Sequence, residues 1–165
     1  MKHLYIEISL KPVDSENIWK LMRLQVRDDQ RHFVASNTES VLEAYVTKEE
    51  GGVALPFGIY DGETPVGFVM IGYDKMPGAD SLKYEQKSYC IWRFMIDASC
   101  QGRGYGSAAM QAVLDYIRTF PCGAAKFCYL SYEPDNAAAR TLYYRFGFEE
   151  NGEKDEDEIV AVRPL

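Results

Sequence analysis

Residues 88–120 constrain this chain more than any other stretch: SYCIWRFMID, then ASCQGRGYG, then SAAMQAVLDYIRTF. The first part is a nearly unbroken apolar run rich in aromatic residues, the pattern of a strand buried on both faces. The last part sets Met110, Val113, Leu114 and Ile117 at the i, i+3, i+4, i+7 spacing of an amphipathic helix. Gly102, Gly104 and Gly106 lie between them. Glycine lets the backbone turn tightly and approach a ligand. The amides that open the following helix present the positive end of its dipole. Strand, glycine loop and helix in that order make an anion site, most naturally for phosphate.

The remaining segments place this unit in a mixed sheet. Residues 4–10 (LYIEISL) alternate apolar and polar as a half-buried strand does, and Pro12 breaks it. Asp14 or Ser15 caps a helix whose apolar face is Ile18, Leu21, Met22 and Gln25/Val26. Residues 27–37 (RDDQRHFVASN) show no period: a loop anchored by Phe33, or a lip on the substrate side. A helix over 38–48 follows, capped by Thr38, with Val41, Leu42, Tyr45 and Val46 as its apolar face. Residues 53–60 and 65–73 form a hairpin about Asp61-Gly62, with Pro65 tolerated at a strand's first position. Residues 76–87 are a polar connection. The helix of the opening unit ends at Pro121 and Gly123. Then come a strand over 126–132 and a helix from Asp135 or Asn136 to Phe146, closed by Gly147. Two last strands, 148–151 and 159–162, flank the acidic run GEKDEDE, read as a solvated hairpin tip. The order β-α-α-β-β-β-α-β-α-β-β, without repeats or linker, makes one α/β (α+β) domain over residues 1–165, a mixed sheet with helices on both faces.

Charge narrows the partners. Asp and Glu number 25 against 18 Lys and Arg, a formal charge of −7. This argues against nucleic acid and is compatible with a cationic substrate as well as with plain solubility. Cys90, Cys100, Cys122 and Cys128 lack CxxC spacing, and only His3 and His32 could join them. No metal site is expected, and the cysteines read as small hydrophobes in a reducing compartment. No apolar run approaches the ~20 residues that span a bilayer, and residues 1–10 lack a signal-peptide core. The expectation is a cytoplasmic protein away from membranes, for which a homodimer is compatible.

Three phosphate-binding patterns compete for the glycine loop. A P-loop needs GxxxxGK[ST], and no lysine follows Gly102 in that place. The dinucleotide fingerprint GxGxxG meets Ser107 where its third glycine belongs. About 60 residues remain after the loop, too few for a Rossmann sheet, although Glu133 could mimic the ribose-binding acid. The third pattern fits. Gln101-x-x-Gly104-x-Gly106 after a buried strand resembles the acetyl-CoA loop of the GNAT superfamily of N-acetyltransferases. Asn136-x-x-Ala139-x-x-Leu142-Tyr143-x-x-x-Gly147-Phe148 resembles that superfamily's late helix and its ending. The resemblance spans essentially the whole chain. Within the superfamily, RDDQRHFVASNTES and RFMID are most similar to bacterial spermine/spermidine acetyltransferases.

The resemblance implies the GNAT fold, with a twisted sheet of about seven strands. It implies an acetyl-CoA-dependent N-acetyltransferase that acts directly on a primary amine of a small cationic acceptor such as spermidine or spermine. Protein N-termini, lysines or an antibiotic amine are alternative acceptors, and a non-catalytic acyl-CoA sensor is the alternative class. Acetyl-CoA is the cosubstrate, with no metal. Gln101, Gly102, Arg103, Gly104, Tyr105, Gly106 and Ser107 would hold the CoA pyrophosphate, chiefly by backbone amides. The backbone of Phe94, Met95 and Ile96 would pair with the pantetheine arm and polarise the thioester carbonyl. Asn136 would bond the pantetheine as well as cap its helix.

Tyr143 would protonate the leaving thiolate. It shares a helical stripe with Ala139, Leu142 and Phe146 that faces the sheet, while Tyr144 lies about 100° further round. A phenol with pKa near 10 can protonate a sulfur whose thiol has pKa near 8.5. Direct attack by the amine is expected, because the four cysteines lack a nearby histidine base. For the general base, Trp92 stands where related polyamine enzymes often carry a carboxylate. Glu85, Glu133 and Tyr89 acting through water stay open. Asp97 reads as the residue that fixes the strand-to-loop turn.

Overall fold

The computed structural model describes residues 5–74 and 87–165. Its strands are β1 Ile8–Pro12, β2 Val53–Asp61, β3 Thr64–Tyr73, β4 Tyr89–Ile96, β5 Phe127–Tyr132, β6 Glu149–Asp155 and β7 Glu158–Pro164. Its helices are α1 Ile18–Met22, α2 Asn37–Glu49, α3 Tyr105–Ile117 and α4 Ala137–Arg145. The strands form one sheet in the order β1-β2-β3-β4-β5-β7-β6. Neighbours run antiparallel except β4 and β5, which are parallel because α3 crosses over between them. α3 buries Ala109, Met110, Val113, Leu114 and Ile117 in the core cluster that lies on one face. On the other face Leu21 is fully buried, and Ala44 meets Ala54, Phe68, Met70 and Met95. Among the described residues, no helix is long and apolar enough to cross a membrane.

Two irregularities in β4 shape the middle of the sheet. β4 and β5 pair only through Tyr89–Cys128 and Cys90–Tyr129, and beyond those pairs the strands part. In the ladder with β3, Met70 faces Arg93 and Ile71 faces Ile91, so Trp92 is an extra residue, a bulge. The bulge resets the alternation of side chains. Ile91, Phe94 and Ile96 join the α3-side cluster, while Trp92 and Met95 join the clusters of the opposite face. Arg93 reaches that same face to bond Glu43 of α2.

Several sequence expectations shift in detail. β1 keeps Pro12, paired with Phe57, because β1 is an edge strand that can spare a donor. α1 ends before Gln25 and Val26, and of its two candidate caps Asp14 organises the lead-in, accepting from the amides of Glu16 and Asn17. α2 begins at a capping box in which Ser36 and Glu39 bond reciprocally, not at Thr38. Its buried face is Asn37, Ser40, Ala44 and Thr47, whereas Leu42, Tyr45 and Val46 are exposed. Small residues let α2 approach the sheet, and the Asn37 side chain donates to the carbonyl of Leu21 at 2.9 Å. The acidic run is mostly strand: β6 extends to Asp155 and β7 begins at Glu158, leaving Glu156 and Asp157 as the turn. Gly147, at φ +83°, ends α4 as expected, and the amides of Gly147 and Phe148 return to the carbonyls of Tyr144 and Tyr143.

Candidate active site

Where β4 and β5 part, a cleft of about 1700 Å³ opens. Cys90 through Ile96 line it from β4, and Ser131, Tyr132 and Glu133 from the end of β5. The starts of α3 and α4, residues 30–36, α2 and the β6–β7 turn complete the wall.

One half of the cleft is built from the glycine loop. Gly102 and Gly104 have φ of +74° and +87°, the left-handed region that favours glycine. Gly104 is the N-cap of α3 and offers no side chain, so the first α3 amides lack a side-chain acceptor. Gln101 pins the loop, its Nε2 donating to the Ile96 carbonyl at 3.0 Å and to Gln30 Oε1 at 2.8 Å. Asp97 fixes the turn before it, accepting from the Ser99 amide and from the Gln25 amide at 2.9 Å. Those bonds hold its carboxyl below the usual range, although burial opposes them. Phe94, Met95, Ile96, Gln101, Gly102, Gly106 and Asn136 all line the cleft.

Four expected residues contribute no lining. Arg103 and Gly104 are exposed beside the cleft. The Tyr105 hydroxyl donates to Asp61 Oδ2 at 2.7 Å, which directs the ring to the β2–β3 turn. Ser107 Oγ accepts from Arg145. Asn136 Oδ1 caps α4 by accepting from the Ala139 amide at 3.2 Å. Next to it, Asp135 meets His32 Nε2 at 3.1 Å. The segment 27–36 is thus fastened on both sides of the split, by Gln30 to Gln101 after β4 and by His32 to Asp135 after β5.

Tyr143 projects into the wedge as its helical stripe requires, while Tyr144 is 75% exposed. Tyr143 is 8% exposed, with its ring between Tyr132 at 5.7 Å and Phe148 at 6.1 Å. Among the described residues its hydroxyl has no hydrogen-bond partner. Burial raises its pKa above the ordinary tyrosine value, and the charge of Glu158 adds to the rise.

The base candidates separate. Tyr89 is fully buried away from the cleft, its hydroxyl donating to the Gly123 carbonyl at 2.8 Å and accepting from the Cys122 amide at 3.0 Å, so it holds a loop and relays nothing. Glu85 lies outside the described residues. Glu133 lines the cleft. Cys90 also borders it, but burial pushes the thiol up to about 12, far from a thiolate nucleophile.

The other half of the cleft is acidic. Glu39, Glu43, Glu50, Glu133, Asp155, Glu156, Asp157 and Glu158 line it, against the two arginines Arg31 and Arg93. Arg93 is committed to Glu43 at 2.8 Å and lies over the Trp92 ring. Leu42 and Val46, the misplaced apolar face of α2, stand among these acids at the cleft wall. The acidic hairpin therefore forms a wall, not a free tip. Glu158 alternates with the buried Val160 and Val162, and that period of two was the signal that it faces inward.

A family model described as the acetyltransferase (GNAT) family matches residues 16–148. The spermine/spermidine N(1)-acetyltransferase of Bacillus subtilis (strain 168) is 32% identical over 164 residues, covering 97% of this chain and 100% of that protein. The fold is shared with the aminoglycoside acetyltransferase AAC(6')-Ib in complex with coenzyme A (TM-score 0.76, 18% identity, 96% of this chain and 95% of that one). It is shared also with the PaiA N-acetyltransferase of Thermoplasma acidophilum in complex with coenzyme A (TM-score 0.67, 12% identity, 96% and 99%).

Proposed function

The chain belongs to the acetyltransferase (GNAT) family, and from that premise we propose that it acetylates a primary amine of a linear polyamine such as spermidine or spermine. The protein is an N-acetyltransferase that uses acetyl-CoA as its cosubstrate. The observation that carries the acceptor is the cleft wall of eight carboxylates against two arginines, interrupted by the apolar Leu42 and Val46. Ammonium groups separated by methylene segments suit such a wall, because each charge meets a carboxylate and each apolar segment meets a side chain of its kind. The likeness to the Bacillus spermine/spermidine enzyme supports the same acceptor.

The donor half suits CoA on its own geometry. The unladdered edge of β4 past Cys90 offers backbone groups to the pantetheine amides at Phe94, Met95 and Ile96. The glycine turn leaves open space where a Cβ at Gly102 would stand, and the amides from Gly102 through Ser107 donate to the pyrophosphate oxygens. Arg103 adds charge beside them, and Gln101 holds the turn in place. Tyr105 and Ser107 serve by their backbone alone, since their side chains are engaged elsewhere. Asn136 caps α4 and borders the pantetheine path. Tyr143 gives its proton to the departing sulfur. One domain, formed by the single sheet, carries all of this.

The test is acetyl-CoA-dependent thiol release with spermidine, spermine, an aminoglycoside and a lysine peptide. Polyamines are expected to show kcat/KM at least tenfold above the others. A preference for the aminoglycoside or the peptide would overturn the acceptor, and CoA binding without turnover of any amine would make the protein a sensor.

A further inference from the structure

We propose that Glu158 is a catalytic residue on the acceptor side: its carboxylate takes a proton from the substrate ammonium, so that the freed amine can attack the thioester. The inference rests on the amine acetylation proposed above and adds the base, which the sequence left open. Glu158 opens β7 and shares its strand face with Val160 and Val162, which join Cys90 and Tyr129 in a buried cluster. Tyr143 belongs to the cluster on the opposite, α3-side face. Both residues line the same cleft, so the opening passes through the sheet where β4 leaves β5. The phenol stands on one side and the carboxylate on the other.

Two other carboxylates of the cleft are engaged elsewhere. Glu43 is bound to Arg93, and Glu39 closes the α2 capping box. Glu158 is the carboxylate whose charge acts on the Tyr143 phenol. The Ser131 hydroxyl donates to Oε2 of Glu158 and fixes the group. The groups that act on it are Ser131 and Glu133 from the β5 side, Asp155 at the end of β6, Arg93 from β4 and Tyr143 from α4. Glu156 and Asp157 adjoin it in the turn. Burial is the largest influence and raises its pKa, Glu133 and Asp155 raise it further, and Ser131 and Arg93 oppose them. A more basic carboxylate is a better partner for an alkylammonium.

The balance is simple. The ammonium loses one proton to Glu158 and becomes an amine. The nitrogen lone pair forms a C–N bond to the acetyl carbon, and the C–S bond breaks with its electron pair on sulfur. Sulfur takes the Tyr143 proton, and the second proton on nitrogen returns through solvent to the phenolate. Glu158 then releases its proton to water. The products are the acetamide, CoA thiol and one proton.

Glu158→Gln keeps the size and an acceptor for Ser131. Its kcat/KM for spermidine at pH 7 should fall by about 10²–10³-fold. That loss should shrink to under tenfold by pH 10, where solvent deprotonates the amine. With 2,2,2-trifluoroethylamine, already neutral at pH 7, the loss should stay small. The Tm at pH 7 should equal or exceed that of the wild type. A raised folded-state pKa gives stability that is present at low pH and lost as pH rises through it, and the neutral amide escapes that loss. A loss of equal size at pH 7 and pH 10 would overturn the proposal, as would unchanged kcat/KM. Failure of the wider reading is seen separately, as absence of amine acetylation by the wild type, and would overturn both.

Discussion

Replacing Tyr143 with phenylalanine should lower kcat by about 10²–10⁴-fold while acetyl-CoA affinity stays within about twofold, since a positioned general acid contributes on that scale. The ring packs against Tyr132 and Phe148, and phenylalanine preserves those contacts. Among the described residues no partner of the hydroxyl is orphaned by its removal, so stability should change little. The pH profile sharpens the test. Burial, with Glu158 and Tyr132 adding to it, raises the phenol pKa above the ordinary tyrosine value, so the acid keeps its proton through the alkaline range. Wild-type kcat should therefore show no alkaline decline below about pH 10 that belongs to Tyr143. Steady-state kinetics with acetyl-CoA titration by calorimetry separates the terms. An unchanged kcat removes Tyr143 from the acid role. A matching loss of CoA affinity would assign it to binding.

The double substitution Gly102→Ala and Gly104→Ala should weaken acetyl-CoA at least 30-fold and leave the core intact. Both residues sit at positive φ, and a Cβ there costs about 1–2 kcal/mol each. Two such costs sum to roughly 30-fold or more in affinity. The cause is conformational: nothing lies within 4 Å of a Cβ at Gly102, and at Gly104 the nearest atom is Ile6 Cδ1 at 3.5 Å. Either alanine relaxes the turn, and the α3 amides no longer converge on one anion. Fluorescence or calorimetric titration reads the effect, with thermal melting as the control for folding. Wild-type affinity in the double variant would show that the loop does not cradle the pyrophosphate.

The glycine turn and the helix ends of this protein were legible in its sequence because backbone constraints mark them. Glycines at 102, 104 and 106 mark where the chain must turn, and Asn136 and Gly147 mark both ends of α4. Helical period gave the inward direction of Tyr143, and its acid role came only with the family resemblance. The acidic half of the cleft was not legible, for two physical reasons. α2 turns its small polar residues to the sheet and its Leu42 and Val46 to the cleft, which inverts the ordinary amphipathic rule. The acids of the β6–β7 hairpin read as a solvated tip because charge runs usually are one, and only pairing with β5 shows that they bend over the split. The bulge at Trp92 belongs to the same class of feature, since one extra residue leaves no mark in composition.

The most direct measurement is a crystal structure with a bisubstrate analogue in which spermine is joined through its terminal nitrogen and an acetyl linker to the CoA sulfur. The pyrophosphate is expected at Gly102–Ser107, the sulfur within hydrogen-bond reach of the Tyr143 hydroxyl, and the attached nitrogen on the Glu158 side of the split. The polyamine chain should run between α2 and the β6–β7 turn. A polyamine that leaves the split on the α3 side, away from Asp155–Glu158, would contradict this arrangement.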